Sequence, residues 1–314
     1  MEYIDVSAMV TSMRNLMNYF SNFSNYCMEN KKRVFIFLIF FHILCTLSLF
    51  ILANTEYLSS LHFNTHTTNI WTDYRVKADI DYTHAIFWKF AADSFIYHIE
   101  AINAVDYIEK SLWVDWLEMY PHHQHVKLIS LLYWITGYHS PLVYAVLIGS
   151  VVWATSFMLI YRSSEMLFPD SNKVPLITSL FFFQPSLLIH STQLLRDPLY
   201  QLGFIIMCYG MIVVFKQKTK WKWVFIINAG FFIMIAMRNY LTPIFLMMTI
   251  LFSVFAFFQK RSSFLPLLLL IVPLILIQSV SDNRYMSLAV FSKDNIIDQS
   301  NYISTHSLPV KTSK

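Results

Sequence analysis

Residues 34–52, VFIFLIFFHILCTLSLFIL, form an unbroken apolar run in which His42 is the one strongly polar side chain. The run holds 19 residues. As an α-helix it is long enough to cross a hydrocarbon core of roughly 30 Å. Lys31, Lys32 and Arg33 precede it, which is also the order of a signal peptide. Because a long segment comes before these charges and no small-residue cleavage site follows the run, we predict an uncleaved membrane anchor.

The composition of the whole chain agrees with a membrane location. Of its 314 residues, 56% are hydrophobic and 13% are charged, and the mean hydropathy is +0.48. These values exclude a soluble domain and predict an all-α polytopic membrane protein. The net charge of +4 is small, and the lysines and arginines lie in short loops instead of on one surface. We therefore expect no nucleic-acid partner. The three cysteines lack metal-binding or disulfide spacing.

Six further apolar runs follow and bring the predicted number of transmembrane helices to about seven. They are residues 141–161, 174–190, 199–215, 223–237, 241–258 and 264–280. Eleven lysines and arginines flank the spans on one side: Lys31, Lys32, Arg33, Arg162, Lys173, Lys216, Lys218, Lys220, Lys222, Lys260 and Arg261. Only Arg196 and Arg238 occupy the short loops opposite. The positive-inside rule therefore predicts a cytoplasmic N-terminus in a multi-pass protein of the cytoplasmic membrane.

Three regions follow from this topology. Residues 1–33 form a cytoplasmic amphipathic segment, residues 34–280 form the membrane domain, and residues 281–314 form a polar tail outside. The membrane domain includes a long helical outer loop, residues 54–140, which is rich in carboxylates and aromatic rings. Such rings favour the headgroup level, so we expect the loop to pack on the membrane surface. Its apolar part at 127–136 is too short to span and is interrupted by Gly137.

The outer loop contains the stretch KFAADSFIYHIEAINAVDYIEK, residues 89–110. At helical spacing Asp93, Tyr97, Glu100 and Ala104 share one face, while Phe95, Ile99, Ile102 and Ile108 line another. This pattern predicts an amphipathic helix with a carboxylate-rich side. Two interpretations stay open at this point, because such carboxylates are either simply solvated or part of a reactive site.

Two arginines on the predicted outer side oppose the charge bias of the other loops. Arg196 lies in the segment between the third and fourth spans and Arg238 between the fifth and sixth. Charge at the membrane edge is costly and often functional, and a guanidinium binds phosphate well. The alternative is that Arg196 pairs with Asp197 or extends to lipid phosphate. The predicted topology places the Asp93 helix and the two arginine segments on the same side of the membrane.

Histidines raise the question of a metal ion. His122, His123 and His125 lie close together in the chain, and His98 occurs in the same loop. Neighbouring imidazoles do not readily bind one ion without a bend in the backbone. We therefore favour interfacial histidines over a divalent metal site, and the cofactor requirement stays undefined.

Three longer stretches carry a family resemblance. They are DSFIYHIEA (93–101), YPHHQHVKLISLLYWITGYHSPLVYAVLIG (120–149) and FFFQPSLLIHSTQLLRDPLYQL (181–202). Their order after a first span resembles the polytopic glycosyltransferases of the type C superfamily, which include protein mannosyltransferase-like and lipid A aminoarabinose transferase-like enzymes. The resemblance covers about residues 34–245.

The resemblance implies an enzyme that uses a polyprenyl-phosphate sugar as donor and a glycan, lipid or protein as acceptor, at the outer side of the membrane. It implies that Asp93 supplies the catalytic carboxylate. We expect Tyr97, His98, Glu100, Arg196, Asp197 and Arg238 to bind substrate. The alternatives are a polymerase or ligase for cell-envelope polysaccharide, and a non-catalytic membrane subunit or transporter. The transporter alternative is disfavoured because the chain shows no internal repeat.

Overall fold

The structure is a computed structural model that describes residues 29–53, 91–119, 124–171, 173–216, 221–238 and 242–258, with three single positions before residue 29. Throughout these ranges the ordered elements are helices, and no β-strand occurs in them. This confirms the all-α class. The loop at 54–90, the predicted seventh span and the C-terminal tail lie outside the described residues.

Within the described residues, three helices are long and apolar enough to cross a membrane. They are α1 (Lys31–Ala53), α5 (Pro141–Leu167) and α8 (Asp197–Lys216). Helix α5 begins where Ser140 caps it: the Ser140 side chain accepts a hydrogen bond from the backbone N–H of Leu142 at 3.3 Å, and Pro141 occupies the first turn. The sequence predicted all three spans to within a few residues.

The predicted span at 174–190 is not one straight helix. It consists of α6 (Val174–Leu180), a 3₁₀ turn (Phe181–Phe183) and α7 (Pro185–Ser191). The two parts are bent by 59°. Pro185 explains the break, because it lacks a backbone N–H and forces the preceding Gln184 into an extended conformation, with ψ of 127°. If the bent pair counts as one span, the described residues contain four spans.

Two shorter apolar helices follow, α9 (Trp221–Met237) and α10 (Thr242–Phe258). Helix α9 crosses α8 at two facing glycines: a Cβ built on Gly230 would lie 2.6 Å from the carbonyl oxygen of Gly203. Small residues allow this close backbone approach, which is the usual means by which membrane helices associate. The total of seven spans stays a prediction, since the predicted 264–280 span is not among the described residues.

Contacts between helix ends fix the direction of the spans. Lys31 at the start of α1 forms an ion pair of 2.8 Å with Glu165 near the end of α5. At the opposite end of the bundle, Arg238 just after α9 pairs with Asp197 at the start of α8. Neighbouring helices therefore run in alternating directions, and the molecule has one end that carries Lys31 and another that carries Arg238.

The helices of the outer loop pack at the Arg238 end of the bundle. They are α2 (Ala92–Glu109), α3 (Trp113–Glu118) and α4 (Gln124–Thr136). Helix α4 ends where Gly137 adopts a left-handed φ of 68°, which ends a helix at little cost in glycine. Trp116 holds α3 to α4 because its indole N–H donates to the Ser130 hydroxyl at 3.0 Å. The site described next lies on α2.

Candidate functional site

One buried hydrogen bond joins α2 to the segment that precedes α8. The backbone N–H of Leu194 donates to the Ser94 hydroxyl at 3.1 Å, and both residues are fully buried. The chain from Thr192 to Arg196 is not helical. Ser94 therefore holds this unwound segment against the first turn of α2, directly beside Asp93.

The buried face of α2 differs from the predicted one. Its buried members are mostly small or aromatic and recur at helical spacing: Ser94, Tyr97, His98, Ala101, Ala104, Val105 and Ile108. The predicted apolar face is wrong in part, because Phe95, Ile99 and Ile102 are only half-buried. Tyr97, Ala101 and Val105 of this face pack in one buried cluster with α4 and with residues 194–195. Helical periodicity predicts which residues are apolar. Which of them are buried also depends on the neighbouring elements that pack against the helix.

The two carboxylates flank this packed face and differ in exposure. Asp93 is exposed in the first turn of α2, and Glu100 is half-buried. The N-terminal end of a helix stabilises a negative charge through the helix dipole. Asp93 is thus accessible at the end of the helix that favours negative charge, whereas Glu100 lies further along the same side.

Four of the predicted site residues act electrostatically on the phenol of a fifth, Tyr97. It is buried, with 2% of the residue exposed. Burial raises the pKa of Tyr97 above its ordinary range, the positive charge of Arg196 opposes that rise, and the carboxylates of Asp93, Asp197 and Glu100 add to it. All four charged groups therefore lie within electrostatic reach of one phenol. The high pKa keeps the hydroxyl protonated.

Asp197 pairs with Arg238 and not with Arg196. The Arg238 Nε donates to Asp197 Oδ1 at 3.0 Å, and a terminal guanidinium nitrogen contacts the same oxygen. The Arg238 guanidinium also lies 5.5 Å from the centre of the Tyr200 ring. Among the residues that the structure describes, Arg196 forms no ion pair. The structure therefore does not contain the alternative ion pair between Arg196 and Asp197.

His98 has a different environment from the other predicted residues. Its Nδ1 and the Tyr133 hydroxyl form a hydrogen bond of 2.9 Å, and the residue is 2% exposed. Burial lowers the pKa of His98 to about 4, with a smaller contribution from His139. His98 is therefore a neutral link between α2 and α4, and its role in substrate binding stays a prediction.

The predicted histidine-rich segment is described only in part. His125 is buried, and its ring meets the Tyr97 ring edge-on at a centroid distance of 3.9 Å. His122 and His123 lie outside the described residues. Within the described ranges no group of three or more histidine, cysteine, aspartate or glutamate side chains is arranged to hold a metal ion.

Sequence reasoning missed Ser94, Tyr133 and Tyr200, which contact the Leu194 N–H, His98 and Arg238, respectively. Ser94 stands next to Asp93 in the sequence but carries no periodic signal, because its role is a hydrogen bond to a distant backbone N–H. Tyr133 and Tyr200 are aromatic residues within apolar helices, where nothing distinguishes them from ordinary core residues. The sequence signal that could identify Tyr200 is its polar hydroxyl near the end of an apolar run.

No protein-family model, no curated protein and no solved structure matches this chain. Its function is therefore argued from the site itself.

Burial of His98 predicts a defined pH dependence of stability. The unfolded histidine has a pKa near 6.5 and the folded one a pKa of about 4, so below pH 6.5 the unfolded state binds the proton first. The stability that the neutral ring provides is complete above pH 6.5 and is lost as pH falls toward 4. The free energy of unfolding should fall over this window by up to about 1.4 kcal/mol per pH unit. The measurement is the thermal midpoint of the purified protein, which should fall with it.

His98→Gln removes the titrating group, so its thermal midpoint should depend less on pH between 6.5 and 4. His190→Gln removes a histidine from another part of the chain and serves as the control. Equal pH dependence in the parent and His98→Gln would show that His98 titrates alike in the folded and unfolded states.

Proposed function

We propose that this protein is a glycosyltransferase that moves a sugar from a polyprenyl-phosphate carrier to an acceptor hydroxyl at the outer face of the cytoplasmic membrane. One observation carries the proposal: an exposed carboxylate, Asp93, and a guanidinium without an ion-pair partner in the described residues, Arg196, both act on the same buried phenol of Tyr97. A base and an anion-binding cation are thereby both within electrostatic reach of one phenol, at one end of a bundle of apolar helices.

The chemistry of sugar transfer needs both groups. The acceptor oxygen forms a bond to the anomeric carbon while the bond from that carbon to the phosphate oxygen breaks. Asp93 takes the proton from the acceptor hydroxyl, which is the work of a general base. The electron pair of the broken bond leaves on the polyprenyl phosphate, and Arg196 neutralises this charge.

The remaining residues orient the substrates. Asp197 holds the Arg238 guanidinium through two contacts, which turns Arg238 into a second fixed cation near the phosphate. The protonated Tyr97 hydroxyl is a hydrogen-bond donor. Glu100 is half-buried on the same side of α2, and its carboxylate is an acceptor suited to a sugar hydroxyl.

Aromatic residues around α3 and α4 support a lipid-linked donor. Trp113 lies edge-on to Trp134 at a centroid distance of 5.7 Å, and both rings are partly exposed. Val114 and Leu117 are exposed beside them. Such a surface suits the headgroup level of a bilayer. A site that stands next to this surface can receive a phosphate whose polyprenyl chain remains in the membrane.

The first test separates Asp93 from Glu100. Asp93→Asn keeps the size of the side chain but removes the base, so turnover with a panel of polyprenyl-phosphate sugars should fall by about 10²- to 10⁴-fold. Glu100→Gln should mainly raise the KM for the donor. Release of the lipid phosphate from purified protein is the measurement, and a folded Asp93→Asn variant that turns over at the parent rate would exclude Asp93 as the base.

A second test separates Arg196 from Arg238. Arg196→Lys should weaken the binding of undecaprenyl phosphate by about tenfold or more, because an ammonium does not reproduce a bidentate guanidinium contact. Arg238→Lys is the matched control and should weaken binding less, since Asp197 still holds a cation there. Binding is measured by native mass spectrometry. Equal affinities in the parent and Arg196→Lys would mean that the phosphate binds elsewhere.

A further inference from the structure

His42 lies in the middle of the first membrane helix, and the proposed reaction does not use it. It is fully buried, and its Nε2 is 2.8 Å from the hydroxyl oxygen of Ser191. Ser191 is the last residue of α7. An ionisable residue inside a membrane helix is costly and calls for a functional explanation.

The hydrogen bonds around His42 have a defined direction. The Ser191 hydroxyl donates to the carbonyl oxygen of Leu188 at 2.7 Å, so its oxygen accepts the Nε2–H of His42. The Thr46 hydroxyl donates to the backbone carbonyl of His42 at 2.8 Å and lies 3.4 Å from Nδ1. These partners hold the ring in one orientation, with Nε2 toward α7.

Helix α5 approaches the same point. Gly149 ends a π-helical turn (Ala145–Gly149), a feature that interrupts regular helices at functional sites. A Cβ at Gly149 would lie 2.6 Å from the Ser191 carbonyl oxygen and 3.6 Å from His42 Cε1. Three membrane helices therefore meet at Ser191, and the close approach requires glycine at 149.

Ser191 is also where the unwound segment starts. From Ser191 the chain passes through Thr192 and Gln193, both buried, to Leu194, which is bound to Ser94. It then reaches Arg196, the guanidinium assigned to the donor phosphate. The segment is thus fixed at its beginning by His42 and at its middle by Ser94.

We propose that His42 is a positioning residue: through Ser191 it fixes the 192–196 segment and thereby the place of Arg196. The proposal rests on the proposed function only in what Arg196 binds. Irregular backbone at membrane depth is tolerated where it is buried in protein, and the side-chain bond from His42 to Ser191 holds the residue at which this backbone begins. Loss of the bond frees the segment, and small displacements of a substrate-binding group reduce turnover by up to about a hundredfold.

Hydrogen exchange measures how firmly the 192–196 segment is held, without reference to activity. His42→Leu and Ser191→Ala each remove the bond, and both should speed amide exchange in the peptide that covers residues 192–196 by about tenfold, the factor that one hydrogen bond is worth. His42→Gln places an amide nitrogen where Nε2 lies and should restore slow exchange. Ser191→Ala provides the result if His42→Leu does not fold.

Ser179→Ala is the matched control. Ser179 is a fully buried hydroxyl in the same bent span, but it donates only to the Pro175 carbonyl of its own helix, at 2.7 Å. Exchange at 192–196 should not change in this variant. If exchange rises equally in Ser179→Ala, or does not rise in His42→Leu and Ser191→Ala, the proposal is overturned.

A second readout is the affinity for undecaprenyl phosphate in the same variants. Faster exchange together with weaker binding, both restored by His42→Gln, supports the positioning role and the assignment of Arg196. Faster exchange with unchanged binding supports the positioning of the segment by His42 and contradicts the assignment of the phosphate to Arg196. The two proposals therefore fail in different ways.

Discussion

The hydrogen bond from the Leu194 N–H to the Ser94 hydroxyl is the contact on which the rest of the site depends. It is fully buried, and it joins helix α2 to an unwound segment between two apolar helices. Elements that are a hundred residues apart in the chain are thereby held together. Because a buried backbone N–H that lacks a partner costs about 1–3 kcal/mol, a different position of α2 would leave the segment strongly destabilised.

A second constraint comes from the apolar surroundings. An interrupted helix leaves backbone groups that the bilayer interior cannot satisfy, so each must find a partner within the protein. The break at Pro185 and the unwound segment after Ser191 are the two places where this applies in the described chain. The side chains of His42 and Ser94 lie at the second of them. Ser94 supports this backbone directly through the Leu194 N–H, and His42 supports it through the Ser191 side chain. The position of Arg196 follows from where that backbone goes.

The sequence was sufficient for those features that depend on local physics. The first span, the start of α5 at Pro141 and the α2 helix follow from apolar length, capping and periodicity. The bend at Pro185 was missed because an apolar composition hides a single proline within a span. The packed face of α2 was predicted incorrectly because contacts with α4 and with residues 194–195 decide which positions are buried. The periodicity of α2 alone does not show these contacts. The pairing of Arg238 with Asp197 depends on how α8 and α9 pack, which is likewise a tertiary property.

The most direct measurement is a disulfide between positions 94 and 194, in a variant that lacks Cys27, Cys45 and Cys208. With cysteines in place of Ser94 and Leu194, oxidation of the protein in native membranes should give an intramolecular disulfide in high yield, because the Ser94 side chain lies within one hydrogen bond of the Leu194 backbone. Cysteines at Asp106 and Leu194 should give none, since Asp106 is exposed more than three turns further along α2. A folded protein in which the 94–194 pair does not crosslink would contradict the convergence of α2 and the Arg196 segment, and with it the site itself.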